Sequence, residues 1–443
     1  MPDIAASIST SAVITVGTAL TSTIDTFGDH DWYRVELEAG HTYSFALDGT
    51  ILQGGSALDD PELTLRDAAG GWIVTNDDVE GGVLRNSMIR FTAVTSGTYY
   101  LDAGGFIDGY TGDFRITAFD VGATASLDQI ATYLQIGYAG FAYEQPYQLV
   151  GSTFTYNLQM LSAAERTLAH LALQSWDDVG AFTFVETSGA ATITFENWGS
   201  GFAESFGNST SATVHISIDW YYGDLSINGY MYQTYVHEIG HALGLGHTGP
   251  YNGGAIYGLD NLFANDSVAA SIMSYFTPTE AGVGTDETVM GPQMADIVAI
   301  GNLYGLSTST RTGDTVYGFN SNAGQIYNLS DPIYATEPPA FTIYDNGGID
   351  SLDASGYAQS QRIDLNAETW SDIGGKINNI AVARGVVVEN AFGGSGADTI
   401  IGNSADNSIY GNAGVDHVYG NGGADVMFAG AGHDTLNGGD GAD

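Results

Sequence analysis

A nine-residue repeat near the carboxyl end of the chain restricts the fold of that region more than any other sequence feature. From Gly393 onward the successive segments are GGSGADTII, GNSADNSIY, GNAGVDHVY, GNGGADVMF and AGAGHDTLN. Glycine is frequent at positions 1 and 4, an acid or amide stands at position 6, and position 8 is always apolar. A flexible linker would have no fixed apolar position. The pattern therefore predicts a parallel β-roll in which six residues form each turn and three form each short strand.

Stacked carboxylates are the expected consequence of such a roll. Two repeats complete one coil, so residues eighteen apart in the sequence should lie above one another. The stacked residues are Asp398, Asp416 and Asp434 on one side, and Asn407, Asp425 and Asp443 on the other. Carboxylates at this spacing repel one another unless a cation lies between them, and Ca²⁺ prefers oxygen ligands. We therefore predict several structural calcium ions. Their ligands in the repeat are Gly393, Ser395, Asp398, Asn407, Gly411, Ala413, Asp416, Gly420, Gly422, Asp425, Asp434 and Asp443.

Acidic residues dominate the whole chain and not only the repeat. The 443 residues include 52 Asp or Glu against 10 Lys or Arg, a formal net charge of −42, and no cysteine. This charge repels phosphate backbones and anionic lipids, so we expect no binding to nucleic acids or membrane surfaces. The lack of cysteine excludes disulfides, thiolate metal sites and a cysteine nucleophile. No run of eighteen apolar residues predicts a membrane span, and we expect a monomer.

A second pattern, H-E-x-x-H-x-x-G-x-x-H, lies in the middle of the chain. His237 and His241 are four residues apart on a predicted helix over 232–245, so both imidazoles lie on one face. Gly244 lets the backbone leave the helix, which brings His247 round as a third ligand. Three neutral nitrogens with a fourth position left for water are typical of a catalytic zinc site.

The residue after the first histidine indicates the chemistry of this site. Glu238 is not a ligand, but its carboxylate can reach a water molecule activated by the metal and accept its proton. The stretch could instead be a buried helix whose histidines only form hydrogen bonds. Three imidazoles and a carboxylate are, however, costly to bury without a metal. We therefore predict a hydrolase with one catalytic zinc ion and Glu238 as general base.

The segment ASIMSYF at 270–276 resembles the Met-turn of the serralysin family, secreted bacterial zinc endopeptidases of the metzincin clan. The resemblance implies that Met273 lies beneath the three imidazoles. It also implies that Tyr275 is a further, displaceable zinc ligand that stabilises the tetrahedral intermediate. The segment GPQMADIVAI at 291–300 is similar to the next helix of that family. These motifs together imply an α+β metzincin domain that hydrolyses peptide bonds in proteins.

The resemblance to serralysins continues into the segment before the repeat. RTGDTVYGFN at 311–320 and DNGGID at 345–350 are similar to the stretches that lead into the calcium-binding RTX roll of that family. The resemblance implies a set of residues that share calcium there. They are Arg311, Gly313, Thr315, Asp345, Gly347 and Asp350. Within the repeat, Asn407 replaces an aspartate at position 6, so we expect its half-site to be weak or empty.

Short runs of alternating polar and apolar residues fill the first part of the chain. This period of two predicts an antiparallel β-sandwich, and GDHDWYRV at 28–35 resembles the small pre-peptidase domains of secreted bacterial peptidases. The predicted fold class is therefore multidomain. Its parts are the pre-peptidase-like β-sandwich over 1–122, the α+β metzincin zinc protease domain over 123–306 and the RTX parallel β-roll over 307–443. We expect this roll to be truncated, with the polypeptide continuing beyond Asp443.

Three features resemble cargo of the type I secretion route: the RTX repeats, the lack of cysteine, and a start without the basic and apolar regions of a signal peptide. We therefore expect a secreted, extracellular bacterial zinc metalloendopeptidase. Its expected partners are protein substrates and a proteinaceous inhibitor. The alternative is a non-catalytic, calcium-dependent cell-surface or matrix adhesion protein with a vestigial protease domain. Intact Glu238 and Tyr275 favour the enzyme.

Overall fold

The chain forms 25 strands and four helices within the residues that the computed structural model describes, and these elements fall into two compact units. The described residues are 4–49, 56–77, 86–136, 147–335 and 337–443. The first unit comprises Met1–Tyr147 with Leu245–Asp266, and the second comprises Gln148–Gly244 with Ser267–Asp443. No helix among the described residues is long and apolar enough to cross a membrane. The predicted domain boundaries at 122/123 and 306/307 stay predictions.

Two antiparallel four-stranded sheets make up most of the first unit. Their strands are β1 (Thr18–Ile24), β2 (Asp31–Leu37), β3 (Thr42–Gly49), β4 (Pro61–Arg66), β5 (Trp72–Asn76), β6 (Ser87–Thr92), β7 (Gly97–Gly105) and β8 (Gly112–Val121), followed by helix α1 (Leu127–Ile136). The sheet orders are β1-β8-β3-β6 and β2-β7-β4-β5. On β2, Tyr33, Val35 and Leu37 are buried in a hydrophobic core, while Arg34 and Glu36 between them are exposed. The period of two thus predicts this β-sandwich correctly.

The segment Leu245–Asp266 is held in the same unit by aromatic packing. The ring of Phe263 meets Phe119 of β8 and Tyr133 of α1 edge-on, at centroid distances of 5.7 and 6.0 Å. Edge-to-face rings at these distances attract one another in addition to the area they bury. The end of the segment is therefore anchored on the sandwich and on α1.

A mixed five-stranded sheet and three helices open the second unit. The strands are β9 (Thr153–Asn157), β10 (Thr183–Glu186), β11 (Ile193–Glu196), β12 (Ala203–Asn208) and β13 (Ser211–Ile216), and the helices are α2 (Ala163–Asp177), α3 (Tyr230–Ala242) and α4 (Met294–Tyr304). The sheet order is β10-β9-β11-β13-β12, and only the edge strand β12 pairs antiparallel. Helix α2 begins with a capping box between Ser162 and Glu165, which satisfies two amides of its first turn.

Short parallel strands form the rest of the second unit. They are β14 (Val316–Gly318), β15 (Phe341–Ile343), β16 (Ser351–Asp353), β17 (Arg362–Asp364), β18 (Trp370–Ser371), β19 (Ile380–Val382), β20 (Asn390–Phe392), β21 (Thr399–Ile401), β22 (Ser408–Tyr410), β23 (His417–Gly422), β24 (Val426–Phe428) and β25 (Thr435–Asp440). The two main sheets have the orders β14-β16-β20-β22-β24 and β17-β21-β23-β25, and a third, β15-β19-β18, includes one antiparallel pair. In the repeat, Thr399 pairs with His417 and Ser408 with Val426, so partners are eighteen residues apart. The predicted parallel roll with two repeats per coil is confirmed.

Side chains of the repeat occupy fixed levels of the roll. The position-8 residues Ile400 and Ile409 are completely buried between the two sheets. Phe392, just before the first repeat, stacks with Tyr410 and Phe428 at position 9, with nearly parallel rings at successive centroid distances of 4.8 and 4.9 Å. Val418 is also buried at position 8, whereas Leu436 in the last full repeat is 45% exposed. Burial thus explains the apolar position 8 in the inner repeats.

Candidate metal centre

The three histidines of the H-E-x-x-H-x-x-G-x-x-H stretch come together as their spacing predicts. His237 and His241 lie on α3 with ring centroids 4.7 Å apart. The helix ends at Ala242, three residues before the predicted end, and Gly244 follows at φ +94°, a conformation that favours glycine. His247 then turns back toward the other two. One ligand atom from each imidazole lies within 4.8 Å of the others, so the three could hold one metal ion.

A backbone carbonyl fixes the tautomer of His237. Nδ1 of His237 lies 2.8 Å from the carbonyl oxygen of Ile272. Since a carbonyl only accepts, Nδ1 carries the proton and Nε2 keeps the lone pair that a metal requires. Burial lowers the pKa of His237 to about 4, so the imidazole is neutral at physiological pH. Three histidine nitrogens form a donor set that fits zinc.

Met273 is completely buried beneath the helix that carries these histidines. A Cβ placed on Gly240, in the last turns of α3, would lie 2.5 Å from Met273 Sδ and 3.1 Å from the ring of Trp176. Trp176 Nε1 also donates a hydrogen bond of 2.9 Å to Val236 O on α3. The Met-turn and α2 therefore press directly on α3. The sequence motif includes no requirement at position 240, so this contact emerges only from the fold.

Tyr275 and Glu238, the two residues with predicted catalytic roles, lie beside the triad. The Tyr275 side chain is 37% exposed, and its ring centroid is 5.9 Å from that of His237. Glu238 follows His237 on α3 and is 5% exposed. A partly exposed phenol and a buried carboxylate thus flank the first ligand. Their roles in catalysis stay predictions.

A buried carboxylate on α4 connects that helix to the metal centre. Asp296 is completely buried, and its oxygens accept hydrogen bonds from Ser271 Oγ (2.6 Å), Ile272 N (2.8 Å) and Gln293 N (2.7 Å). Burial raises the pKa of Asp296 to about 7, against the opposing effect of these three donors. Because Ile272 O receives the Nδ1 proton of His237, Asp296 holds the amide of the same residue whose carbonyl orients the first ligand.

Removing the carboxylate of Asp296 should leave the His237 imidazole less firmly oriented for metal binding. In Asp296→Ala, two buried N–H groups lose their acceptor, at about 1–3 kcal/mol each. We expect zinc affinity to fall about tenfold or more, the usual effect of losing an outer-shell partner. Competition with a chromogenic chelator measures this affinity. Asp296→Asn is the matched control, because its amide oxygen can still accept from both N–H groups while Ser271 Oγ accepts from its nitrogen. If the two variants bind zinc equally tightly, Asp296 has no positioning role.

A second buried carboxylate holds the loop after His247. Asp266 is 1% exposed and accepts hydrogen bonds from Thr248 Oγ1 and from Tyr251 OH, the latter at 3.1 Å to Oδ2. The ring of Tyr251 lies against that of His247, with centroids 5.5 Å apart and planes inclined by 32°. No short-range pattern in the sequence relates Asp266 to this loop, so sequence reasoning missed it.

The calcium ligands implied ahead of the repeat lie close together. Thr315 N donates to Asp350 Oδ1 (2.8 Å), Thr315 Oγ1 donates to Gly313 O (2.9 Å), and Gly347 N donates to Asp345 Oδ1 (2.9 Å). Asp350 Oδ2 is buried and has no hydrogen-bond partner among the described residues, which fits a carboxylate oxygen that binds a cation.

Three further residues bear on this cluster. Burial, with the nearby carboxylates of Asp345 and Glu389, raises the pKa of Asp350 to about 7. Glu389 Oε2 also accepts from Asp350 N (2.7 Å), and sequence reasoning did not select it. The Arg311 guanidinium binds Asp178 and Tyr344 O instead. Only the carbonyl of Arg311 is therefore left for the implied calcium role.

In the repeat, a ladder of hydrogen bonds joins the position-6 residues. Each backbone amide donates to the side chain eighteen residues later. The bonds run from Asp398 to Asp416 (2.9 Å), Asp416 to Asp434 (3.0 Å), Asn407 to Asp425 (2.9 Å) and Asp425 to Asp443 (3.1 Å). In each carboxylate one oxygen is thus satisfied by the protein. Within the part of the chain that the structure describes, the second oxygens of Asp416 and Asp425 are buried without a partner, which fits the predicted cation sites.

The glycines of the repeat make room for these second oxygens. A Cβ on Gly393 would lie 2.6 Å from Asp398 Oδ2, and one on Gly411 would lie 2.7 Å from Asp416 Oδ2. Gly420 has the same relation to Asp425 Oδ2. Any side chain here would collide with these carboxylate oxygens.

Asn407 and the position-3 residues behave differently. The Asn407 amide nitrogen donates to Glu389 O (3.0 Å) and Asn403 Oδ1 (3.1 Å), so this half of its side chain already has protein partners. Amides at position 3 donate to backbone carbonyls of the preceding coil. These bonds run from Ser395 to Tyr357, from Ala413 to Gly394 and from Gly422 to Asn403. Their carbonyl groups are the predicted calcium ligands.

Comparison with known proteins is consistent with this arrangement of a metal-binding triad and a parallel roll. Residues 306–437 match a family described as "Peptidase M10 serralysin C terminal", and residues 29–105 match "Bacterial pre-peptidase C-terminal domain". Similar proteins are therefore found among bacterial metallopeptidases.

Three curated relatives define the similarity more closely. Metallopeptidase AprA of Pseudomonas marginalis is 42% identical over 261 residues, 54% of each chain. Metalloprotease AprA of Pseudomonas entomophila is 40% identical over 54% of this chain and 53% of its own. Serralysin C of Dickeya chrysanthemi is 43% identical over 53% and 52%. The chain spans about half the length of the curated relatives it matches. The resemblance to serralysins and to pre-peptidase domains, inferred from the motifs, is confirmed.

Proposed function

We propose that this chain is a secreted zinc metalloendopeptidase whose roll folds around calcium. The observation that carries the proposal is the convergence of His237, His241 and His247 within 4.8 Å, next to the buried Glu238. Relatives at 40–43% identity that are named metalloprotease or serralysin support it. In this proposal the three imidazoles, and Tyr275 when no substrate displaces it, would hold one zinc ion. When bound, the ion would supply Lewis-acid polarisation of the peptide carbonyl and activation of a water molecule.

The residues around the triad have distinct tasks in the proposed reaction. Glu238 accepts the proton of the attacking water and then delivers it to the departing amine. Tyr275 donates a hydrogen bond to the carbonyl oxygen as negative charge develops there. His237 stays neutral because Ile272 O holds its Nδ1 proton and burial opposes a second one. Asp296 holds the Met-turn through its hydrogen bonds, and Met273 packs the Met-turn against α3.

The edge strand β12, which packs beside α3, is the proposed binding site for the substrate peptide. Strand β12 is an edge of the five-stranded sheet, so among the described residues one side of its backbone has no strand partner in that sheet. An extended peptide can add to such an edge through main-chain hydrogen bonds, which accept many sequences. This mode of binding suits the proposed hydrolysis of proteins rather than of one small molecule.

Export and calcium belong to the same proposal. We propose an extracellular location reached by the type I route, with protein substrates and a proteinaceous inhibitor as partners. The buried, unpartnered oxygens of Asp350, Asp416 and Asp425 support several calcium ions in the roll. Such sites fill at the millimolar calcium found outside cells and stay empty in a low-calcium cytosol.

The proposal is tested by proteolysis with selective metal removal. Purified chain refolded with Ca²⁺ and Zn²⁺ should digest casein. 1,10-Phenanthroline, with Ca²⁺ kept in excess, should reduce the rate at least about a hundredfold by removing the metal that activates the water. One equivalent of Zn²⁺ should restore it. If the folded, zinc-loaded chain leaves casein intact, the protease proposal fails and the adhesion alternative stands.

A further inference from the structure

A cavity of about 440 Å³ opens beside Tyr275 in the second unit, and the proposed reaction assigns it no role. Its volume lies in the range of pockets that bind small molecules or side chains, about 300–1,000 Å³. Tyr230 of α3, Phe276 and Tyr334 are further aromatic residues of its lining. Of these, Tyr230 is 42% exposed, whereas Phe276 and Tyr334 are buried. Tyr275, the proposed partner of the scissile carbonyl, lies beside the histidine triad and also lines this cavity. A group in this cavity is therefore close to the bond that is cut.

Carboxylates make up the polar part of the same lining. Asp286, Glu287 and Glu337 all line the cavity. The Glu287 side chain is 3% exposed, whereas that of Glu337 is 70% exposed. Lys376 Nζ lies 2.8 Å from Glu337 Oε2 and 3.4 Å from Glu287 Oε1, so one ammonium group is paired with two of the three carboxylates. The lining therefore carries an excess of negative charge.

We infer that this cavity binds a lysine or arginine side chain of the substrate close to the scissile bond. Aromatic faces attract a cation through their quadrupoles, and the carboxylates supply the opposite charge. An aliphatic substrate side chain would gain the aromatic contact but leave the acidic groups without a new partner. An acidic side chain would be repelled. Residues 148–244 and 267–306 of the same unit, with 13 acids and one base, give the same preference at longer range. The inference rests on the proposed function.

The first experiment maps cleavage sites. The zinc- and calcium-loaded full chain is given a mixture of peptides, and the cut bonds are identified by mass spectrometry. Lys or Arg should be enriched at one fixed position near the bond. For two peptides that differ only by Arg or Leu at that position, we expect a ratio of kcat/KM of about tenfold in favour of Arg.

Two substitutions should move this ratio in opposite directions. Glu337→Gln removes an exposed charge from the lining and should lower the ratio about threefold, the effect of one exposed ion pair. Lys376→Gln removes the competing ammonium and should raise it by a similar factor. Glu186→Gln is the matched control, because Glu186 on β10 is similarly exposed (49%) and does not line the cavity. Opposite shifts are not expected from a general loss of stability.

A binding measurement provides a readout without turnover. In the Glu238→Ala background, fluorescence anisotropy should show tighter binding of the Arg peptide than of the Leu peptide, and Glu337→Gln should reduce the difference. Equal cleavage and equal binding of the two peptides by the folded chain would overturn this inference and leave the protease proposal intact. A folded, zinc-loaded chain that cleaves no peptide would refute the protease proposal, and this inference with it.

Discussion

Glu238→Gln should reduce kcat/KM for peptide hydrolysis by about 10²–10⁴-fold, the usual contribution of a general base. Glutamine has the same shape but cannot accept the proton of the attacking water. Because Glu238 is not a ligand in the proposed site, zinc content should remain one ion per chain. The measurement is the steady-state rate with a quenched-fluorescence peptide, together with zinc analysis of the same sample.

The control separates chemistry from folding. Glu186→Gln makes the same chemical change on β10 and should keep kcat/KM within about twofold, as expected for a surface substitution. Circular dichroism should be the same for all three proteins. A Glu238→Gln protein that keeps more than a tenth of wild-type activity would show that another group takes the proton.

Removal of calcium should have the largest effect on structure. When a chelator removes calcium, the position-6 carboxylates of the repeat repel one another, and the roll over 393–443 should unfold. Addition of about 10⁻⁴–10⁻³ M Ca²⁺, the range of extracellular modules, should refold it. Circular dichroism during a calcium titration measures the transition. A roll that keeps its β-sheet signal without calcium or other divalent cations would contradict the prediction.

One substitution tests the buried carboxylates individually. Asp416→Asn removes the charge behind the unpartnered Oδ2 while keeping an oxygen that can accept from Asp398 N (2.9 Å). The calcium midpoint should rise about tenfold or more, because affinity depends on the charge of the ligands. Asp440→Asn, an exposed acid on β25, is the matched control and should leave the midpoint unchanged. Equal calcium midpoints for Asp416→Asn and Asp440→Asn would show that Asp416 does not bind calcium.

Periodic features were predictable from the sequence because they depend on spacing alone. The positions of Ile400 and Ile409, nine residues apart, already indicate a roll with a buried interior. In the same way, the four-residue spacing of His237 and His241 indicates one face of a helix. These regularities are local, so no knowledge of distant parts of the chain is needed to recognise them.

Other parts of the site depend on contacts between distant segments and were not predictable. Asp296 reaches Ile272, and Met273 packs where Gly240 lacks a side chain. Asp266 likewise meets Thr248 only after the loop has folded. Nothing in the local pattern distinguishes Asp296, Asp266 or Gly240 from the many other acids and glycines of the chain. The end of α3 differed from the prediction for a related reason, since apolar residues after Ala242 continue the helical pattern although the backbone has already turned.

The pairing of strands eighteen residues apart also determines how the length of this protein can change. Loss or gain of eighteen residues in the repeat would remove or add one whole coil and leave each remaining amide, such as that of Asp398, opposite a carboxylate. Loss or gain of nine residues would instead move every later strand to the opposite sheet. Asn407 would then stack with the residues that now stack with Asp398. The roll can therefore vary as a spacer of adjustable length, in steps of two repeats, without disturbing the residues around His237.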